Sequence, residues 1–241
     1  MKSKNVKPFV LVPGAWLGGW VWKRVAPLIQ EKGYSAFPVT LTGMGDRVHL
    51  ATKEVGVETA VRDVENVIEY EDLEDITLVG HSFAGKIVAA VADRMPERVN
   101  TILFLDAFRP RKNLGAPQGS FDPQEFGSFK QEEWRIPFTT EILDNIGRDV
   151  RGIDREWILS KSTPWPMKHA IEPVTLSKNF DSMKCAYIFC TAGGDPVDEI
   201  LKGTWGKLDG PYRVIDSGHY PMITKPNELA DDLVSLAFES V

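Results

Sequence analysis

Short apolar runs alternate along this chain with longer segments of helical periodicity. The apolar runs are continuous rather than alternating, which is typical of strands that are buried on both faces of a parallel sheet. The pattern therefore predicts an α/β, doubly wound fold with a mainly six-stranded parallel sheet. The predicted strands are Phe9–Val12, Ala36–Val39, Thr77–Val79, Thr101–Leu105, Tyr187–Cys190 and Tyr212–Ile215.

The intervening segments carry apolar residues at helical spacing. Pro226-Asn227 is a good start signal for the last of them. The predicted helices are Trp20–Glu31, Thr59–Glu71, Phe83–Met95, Leu201–Lys207 and Glu228–Phe238.

Residues 109–181 interrupt the alternation. They contain no convincing β-run but hold three tryptophans and five phenylalanines, and they are too many for an ordinary connection. We expect one domain, residues 1–241, with a mostly helical cap inserted at about 109–181. The alternative is a helical subdomain that only packs. The aromatic content favours a pocket for apolar or aromatic small molecules.

The composition and net charge of the chain argue against some classes of binding partner. The chain has 241 residues, 43% of them hydrophobic, and a net charge of −6, which argues against nucleic acid or an anionic membrane as a partner. The N-terminal apolar run ends at Pro13-Gly14 and is too short for a signal peptide or a membrane span, so the expected location is cytoplasmic.

Cys185 and Cys190 lie ~16 Å apart along one predicted strand and cannot pair there. No cysteine–histidine metal spacing appears. Oligomeric state is left open, with a homodimer as one option.

The segment Gly80-His81-Ser82-Phe83-Ala84 joins a predicted strand to a predicted helix. A serine at such a joint predicts a nucleophile elbow, in which a tight turn presents the hydroxyl at the carboxyl edge of the sheet. The usual motif is Gly-x-Ser-x-Gly, and here Ala84 replaces the second glycine. The alternative is a buried turn whose serine only caps the helix.

A serine nucleophile needs a histidine base, and the chain has four histidines. His81 leaves the turn in a different direction from Ser82. His49 lies in a polar loop, where a structural hydrogen bond is expected, and His169 lies in the cap. His219 directly follows the last predicted strand, at the same sheet edge as Ser82. It is therefore the predicted base.

The carboxylate that orients the histidine should lie on a loop at that edge. Asp195 follows two glycines close to the end of the Tyr187–Cys190 strand, and the sequence favours it. Two alternatives stay open: Asp198, which can cap the next helix, and Asp106, at the end of Thr101–Leu105. The order serine, aspartate, histidine is that of α/β-hydrolases.

The turn after the first strand contains Gly14 and Ala15. In a sheet of this topology it lies next to the elbow, so the backbone N–H groups of Ala15 and Phe83 are predicted to form an oxyanion hole. The glycines at 18 and 19 lack the spacing and the Lys-Ser/Thr ending of a phosphate loop.

Taken together, these residues resemble the α/β-hydrolase superfamily. The closer likeness is to the branch of plant hydroxynitrile lyases, plant methylesterases and bacterial pyrethroid hydrolases. Two residues depart from that pattern: Pro13 stands where histidine usually precedes the oxyanion glycine, and Tyr220 stands where the lyases carry a lysine. The likeness is carried by Phe9–Trp16, Trp20–Trp22, Leu41–Leu50, the elbow, Leu105–Phe108, Thr163–Pro166 and Gly218–Met222.

We therefore expect a cofactor-free serine carboxylic ester hydrolase that acts through an acyl-enzyme on apolar or aromatic small-molecule esters. Its triad would be Ser82, Asp195 and His219. One alternative is a hydroxynitrile lyase-like C–C lyase, which Tyr220 disfavours because tyrosine supplies no cation near neutral pH. The other alternative is a small-molecule receptor on the same fold.

Overall fold

A computed structural model describes residues 7–107, 109–110, 133–191 and 208–239. Within these ranges the strands match the predicted ones closely, with most of the differences at their ends. The strands are β1 (Phe9–Val12), β2 (Ala36–Pro38), β3 (Ile76–His81), β4 (Val99–Leu105), β5 (Arg135–Ile136), β6 (Trp165–Pro166), β7 (Lys184–Cys190) and β8 (Tyr212–Ile215).

Six of the described strands form one sheet in the order β2-β1-β3-β4-β7-β8, and every neighbouring pair in it is parallel. The predicted α/β class is confirmed. The order of the strands reverses between β1 and β3. Ligands of such sheets bind beyond the carboxyl ends of the strands at this reversal. The turns that follow β1 and β3 therefore frame the expected site.

Helices cover both faces of the sheet. Short 3-10 helices span Gly19–Arg24, Gly45–Leu50 and Phe180–Ser182. The α-helices of the described residues are α1 (Ala26–Glu31), α2 (Val57–Tyr70), α3 (Ala84–Arg94), α4 (Thr140–Ile146), α5 (Gly152–Lys161), α6 (Met167–Ile171), α7 (Pro221–Thr224) and α8 (Pro226–Glu239).

One predicted helix, Trp20–Glu31, is two elements in the structure. The chain makes a 3-10 helix over Gly19–Arg24 and restarts as α1, with a proline in its first turn. Pro27 has no N–H to donate, and its ring collides with the carbonyl four residues earlier, so an unbroken helix is excluded. Hydrophobic periodicity alone does not register this interruption.

The segment 109–181, called the cap here, contains a small β-ribbon that the sequence did not indicate. In it β5 and β6 pair as a short antiparallel ribbon. Two-residue strands are too short to produce an alternating pattern. The described cap also contains the helices α4, α5 and α6, joined by loops. The predicted helix Leu201–Lys207 lies outside the described residues.

The sheet separates two apolar cores. Along β1, Val10 and Val12 pack into the core beneath α2 and α3, whereas Phe9 and Leu11 pack into the core beneath α1 and α8. All four residues are fully buried, and burying one such side chain stabilises the fold by about 1.5–3 kcal/mol. The successive residues of a strand point to opposite faces, so a strand covered on both sides must be apolar throughout.

Candidate active site

Ser82 occupies a strained turn between β3 and α3. Its φ is 58°, in the left-handed region that non-glycine residues rarely adopt. The Ser82 N–H donates to the carbonyl of Leu105, 3.1 Å away, which fixes the turn to the end of β4. Strain of this kind is typical of a nucleophile elbow, because it holds the hydroxyl away from the sheet. Ser82 thus lies on a strained strand-to-helix turn, and its role as the nucleophile stays a prediction.

The turn after β1 lies against this elbow. A Cβ added to Gly14 would come within 2.6 Å of the His81 Nδ1 atom and 3.0 Å of the Ser82 Cβ atom, so this position has no room for a side chain. Within the described part of the chain, neither the Ala15 N–H nor the Phe83 N–H donates a hydrogen bond. Two adjacent turns thus offer backbone donors, which is what an oxyanion hole requires.

His219 lies in the loop after β8, with 19% of its side chain exposed. Three elements hold it. Its N–H donates to the carbonyl of Ile146, 2.9 Å away, and its own carbonyl accepts from the His81 Nε2 atom at 2.8 Å. Its Nδ1 atom lies 2.6 Å from the Asp106 Oδ2 atom.

The carboxylate partner of this ring is Asp106, the residue that follows β4. The Asp106 N–H donates to the carbonyl of Ile188, and its Oδ1 atom accepts from the Cys190 N–H at 3.2 Å, so both its backbone and its side chain are tied to β7. Burial acts to raise the pKa of Asp106. The hydrogen bond to His219 and the charge of its ring outweigh that effect and lower the pKa below its usual value.

The candidate favoured by the sequence, Asp195, lies outside the described residues, as does Asp198. Among the described residues, Asp106 is the carboxylate that contacts the His219 Nδ1 atom. It was the less favoured alternative from the sequence, and the role of Asp195 stays a prediction.

Ser82 and His219 are both neighbours of His81, although they are far apart in the chain. The rings of His81 and His219 have their centroids 4.5 Å apart. Among the described residues, no hydrogen bond joins the Ser82 hydroxyl to the His219 Nε2 atom. Catalytic hydrogen bonds are often long in unliganded enzymes and shorten in the substrate complex, so the arrangement is compatible with proton transfer.

His81 supports the loop that carries His219 through a hydrogen bond to its backbone. Burial, followed by the charge of His219, lowers the pKa of His81 from 6.5 to about 3. The ring is therefore neutral, and its Nε2–H donates to the His219 carbonyl. The sequence indicated only that His81 points away from Ser82, and the pattern carries no signal for this support.

The other two histidines have different surroundings. His49 is exposed, and its Nδ1 atom lies 3.2 Å from the Asp46 carbonyl, which is the structural contact that the sequence led us to expect. His169 is buried in the cap, and its ring stacks on Phe83 with centroids 5.8 Å apart. Among the residues described, no cluster of three or more histidine, cysteine, aspartate or glutamate side chains could hold a metal ion.

An aromatic cluster connects the cap to both turns of the site. Trp165 packs against Phe83 at 4.9 Å and against Trp16 at 5.4 Å between ring centroids. The Trp16 indole donates to the carbonyl of Ile136 in the cap. Because Trp16 and Phe83 belong to the turns that carry the two free N–H groups, one cap side chain contacts both of them.

Lys86 joins α3, the helix that follows the elbow, to the cap. Its side chain is fully buried, and its ammonium donates to the carbonyls of Ala170 and Glu172 at 3.0 and 2.8 Å. Burial lowers the pKa of Lys86 from its usual 10.5 to about 7, and the charge of Glu172 opposes part of that change. A lysine in this setting is costly to bury while charged.

This lysine should make stability depend on pH. Between pH 7 and 10.5 the unfolded chain binds more protons at Lys86 than the folded chain, so the free energy of unfolding should rise with pH across that window. A pKa that falls from 10.5 to about 7 corresponds to a rise of about 5 kcal/mol across that window. Urea unfolding of the wild type and of Lys86→Met at pH 6.5, 8.5 and 10 measures the difference. Lys53→Met, at an exposed position, is the matched control, and a difference that is independent of pH would contradict the expectation.

Comparisons with known proteins agree with this architecture. Residues 9–232 match the alpha/beta hydrolase family, so the chain belongs to that family. It is 31% identical over 243 residues to the carbendazim hydrolyzing esterase of Nocardioides sp. (strain SG-4G), with 95% of this chain and 98% of that protein covered. It is 25% identical over 260 residues to Methylesterase 9 of Arabidopsis thaliana, with coverage of 96% and 98%. The resemblance predicted from the sequence is confirmed.

Among solved structures, tomato methylketone synthase I in complex with 2-tridecanone matches 99% of this chain and 100% of its own, with a TM-score of 0.79 and 22% identity. At that identity the likeness establishes the shared fold. Of the helices described, none is long and apolar enough to cross a membrane.

Proposed function

We propose that this protein is a serine carboxylic ester hydrolase that acts through an acyl-enzyme. The observation that carries the proposal is the pairing of His219 with Asp106 beside a strained serine turn. The relatives support the proposal, since a carbendazim hydrolyzing esterase and a methylesterase both align with this chain over nearly their whole lengths.

The reaction would begin at Ser82. Its hydroxyl attacks the ester carbonyl carbon while His219 Nε2 takes the proton. Asp106 keeps the other ring proton on Nδ1 and stabilises the imidazolium that forms. The carbonyl oxygen becomes an oxyanion, and the N–H groups of Ala15 and Phe83 would stabilise it by about 3–4 kcal/mol for each donor.

The intermediate then collapses with proton transfer from His219 to the departing alcohol. The acyl group is left as an ester of Ser82. Water attacks this ester, His219 takes the proton of the water, and the second collapse releases the carboxylic acid and returns the proton to Ser82. No cofactor or metal takes part in these steps.

The aromatic residues around the two turns support a substrate class. The rings of Trp16, Phe83 and Trp165 pack together there and are almost fully buried, so apolar side chains surround the turns of the site. We expect small esters with an apolar or aromatic acyl or alcohol part, because such groups gain most from leaving water.

Tyr220 weighs against cyanohydrin cleavage. It directly follows His219, and its ring lies 5.5 Å from the imidazole. Burial raises the pKa of Tyr220 far above its usual value, so the side chain is a neutral phenol. It provides no positive charge to assist a departing cyanide.

Product analysis tests the proposal. Purified protein is incubated with p-nitrophenyl and naphthyl esters of increasing acyl length and, separately, with mandelonitrile, and its active serine is titrated with a fluorophosphonate. We expect ester hydrolysis with a pre-steady-state burst and one label per chain at Ser82. Cyanide release without ester turnover would indicate a lyase, and binding of esters without turnover or labelling would indicate a receptor. Either result contradicts the proposal.

A further inference from the structure

The loop that carries His219 is enclosed by the turn between α4 and α5 of the cap. The His219 N–H donates to the carbonyl of Ile146, at the end of α4. Two residues earlier, the Ser217 hydroxyl lies 3.0 Å from the Asp149 Oδ2 atom. The cap therefore holds this loop through its backbone and through one side chain.

The two segments approach too closely for a side chain at position 218. A Cβ added to Gly218 would lie 2.4 Å from the Asp149 Oδ1 atom and 3.1 Å from the Ile146 carbonyl. The Asp149 carboxylate thus lies directly against the residue that precedes His219. This close contact couples the position of the carboxylate to the path of the histidine loop.

Ser217 transmits this contact. Its side chain is 1% exposed, and its hydroxyl has three neighbours: Asp149 Oδ2, the Gly218 carbonyl and the Thr224 hydroxyl. A hydroxyl has one hydrogen, and a carboxylate is the strongest acceptor of the three. The Ser217 hydroxyl therefore donates its hydrogen to Asp149 Oδ2, and the Thr224 hydroxyl can donate its own hydrogen to the Ser217 oxygen.

The Asp149 carboxylate is expensive for the fold to keep in this position. Its Oδ1 atom is buried and has no hydrogen-bond partner among the described residues, and such an acceptor costs ~1–3 kcal/mol. Its charge also helps to raise the pKa of Cys190, after burial and the charge of Asp106, so both carboxylates act on the same thiol. Stability alone does not explain a carboxylate here.

We propose that Asp149 is a positioning residue for the esterase reaction, which sets the orientation of His219 through Ser217 and the 217–219 backbone. This inference rests on the proposed function. Asp149 does not touch the substrate. It determines where the imidazole Nε2 atom lies relative to the Ser82 hydroxyl once Asp106 has fixed the Nδ1 side. Misplacement of a reacting group by about 1 Å can cost ~100-fold in rate.

The variants are Asp149→Ala, Ser217→Ala, their double mutant and Asp149→Asn. Each alanine variant should lower kcat for a p-nitrophenyl ester about tenfold, the equivalent of one hydrogen bond, with KM changed less than about twofold. The double mutant should be no slower than the worse single variant, because both changes remove the same contact. Asp149→Asn keeps an oxygen that accepts from Ser217, so its kcat should stay within about threefold of the wild type.

Asp144→Ala is the matched control, because Asp144 lies in the same part of the cap but is exposed and paired with Arg155. Fluorophosphonate titration corrects each kcat for the fraction of active protein, so partial misfolding does not mimic the effect. If Asp149→Ala does not fold, Ser217→Ala tests the same bond from the other side. Unchanged kcat, additive losses or a loss confined to KM would overturn the role of Asp149. A wild type without Ser82-dependent turnover would overturn the proposed function instead.

Discussion

Replacing Ser82 with alanine is expected to lower kcat for p-nitrophenyl esters by at least ~10⁴-fold, because removing the nucleophile of a serine hydrolase leaves only the contribution of the oxyanion hole and binding. The measurement is steady-state hydrolysis together with fluorophosphonate labelling. Labelling should disappear completely in the variant. Far-ultraviolet circular dichroism and the midpoint of thermal unfolding should be unchanged, since alanine at position 82 has the same backbone strain as serine.

Ser82→Gly separates strain from chemistry. Glycine adopts a φ of 58° without steric cost, so this variant should gain about 1 kcal/mol in free energy of unfolding while losing activity like the alanine variant. Ser160→Ala is the matched control, since Ser160 is an exposed serine whose hydroxyl bonds only locally to Trp157 among the described residues. Retention of more than a few per cent of the wild-type kcat in both Ser82 variants would exclude Ser82 as the nucleophile.

Replacing Asp106 with asparagine is expected to lower kcat by ~10³–10⁴-fold, comparable to the loss in other serine hydrolases whose histidine is forced into the wrong tautomer. The structure predicts how the amide would turn. The Cys190 N–H requires an acceptor, so the amide oxygen should remain on that side and the NH₂ group should face the His219 Nδ1 atom. The imidazole would then carry its proton on Nε2 and could not accept one from Ser82.

Asp195→Asn is the natural comparison, because the sequence alone favoured that residue. We expect its kcat to stay within about threefold of the wild type, an effect smaller than that of one ordinary hydrogen bond. The two variants are assayed side by side, with titration of active sites to normalise the rates. A large loss in Asp195→Asn together with a small loss in Asp106→Asn would restore the original choice.

The difference between these two candidates shows where sequence reasoning stops. The apolar runs predicted the strands, and the order of the strands brings the carboxyl ends of β3, β4, β7 and β8 to one edge. Asp106 follows β4 and Asp195 follows β7, and these strands are neighbours with Leu105 opposite Ile188. By the order of the strands alone, either loop could place a carboxylate next to His219. The choice depends on side-chain direction, which hydrophobic patterning does not encode.

Lys86 illustrates a second limit. In the pattern of α3 a lysine is expected to be exposed, yet α3 is buried over most of its length between the sheet, α2 and the cap. Its position becomes understandable only when the carbonyls of Ala170 and Glu172 are seen to face it. Such partners lie about 85 residues away along the chain and leave no local signature.

The enclosure of the histidine loop by residues 146–149 also bears on protein engineering. The segment between β4 and β7 is a natural unit to exchange when a new substrate is wanted, and the obvious junctions are its two ends. In this protein such a chimera would discard the carbonyl of Ile146 and the carboxylate of Asp149 together with the old pocket. A graft that keeps the α4–α5 turn and replaces only the surrounding walls should preserve the geometry of the base.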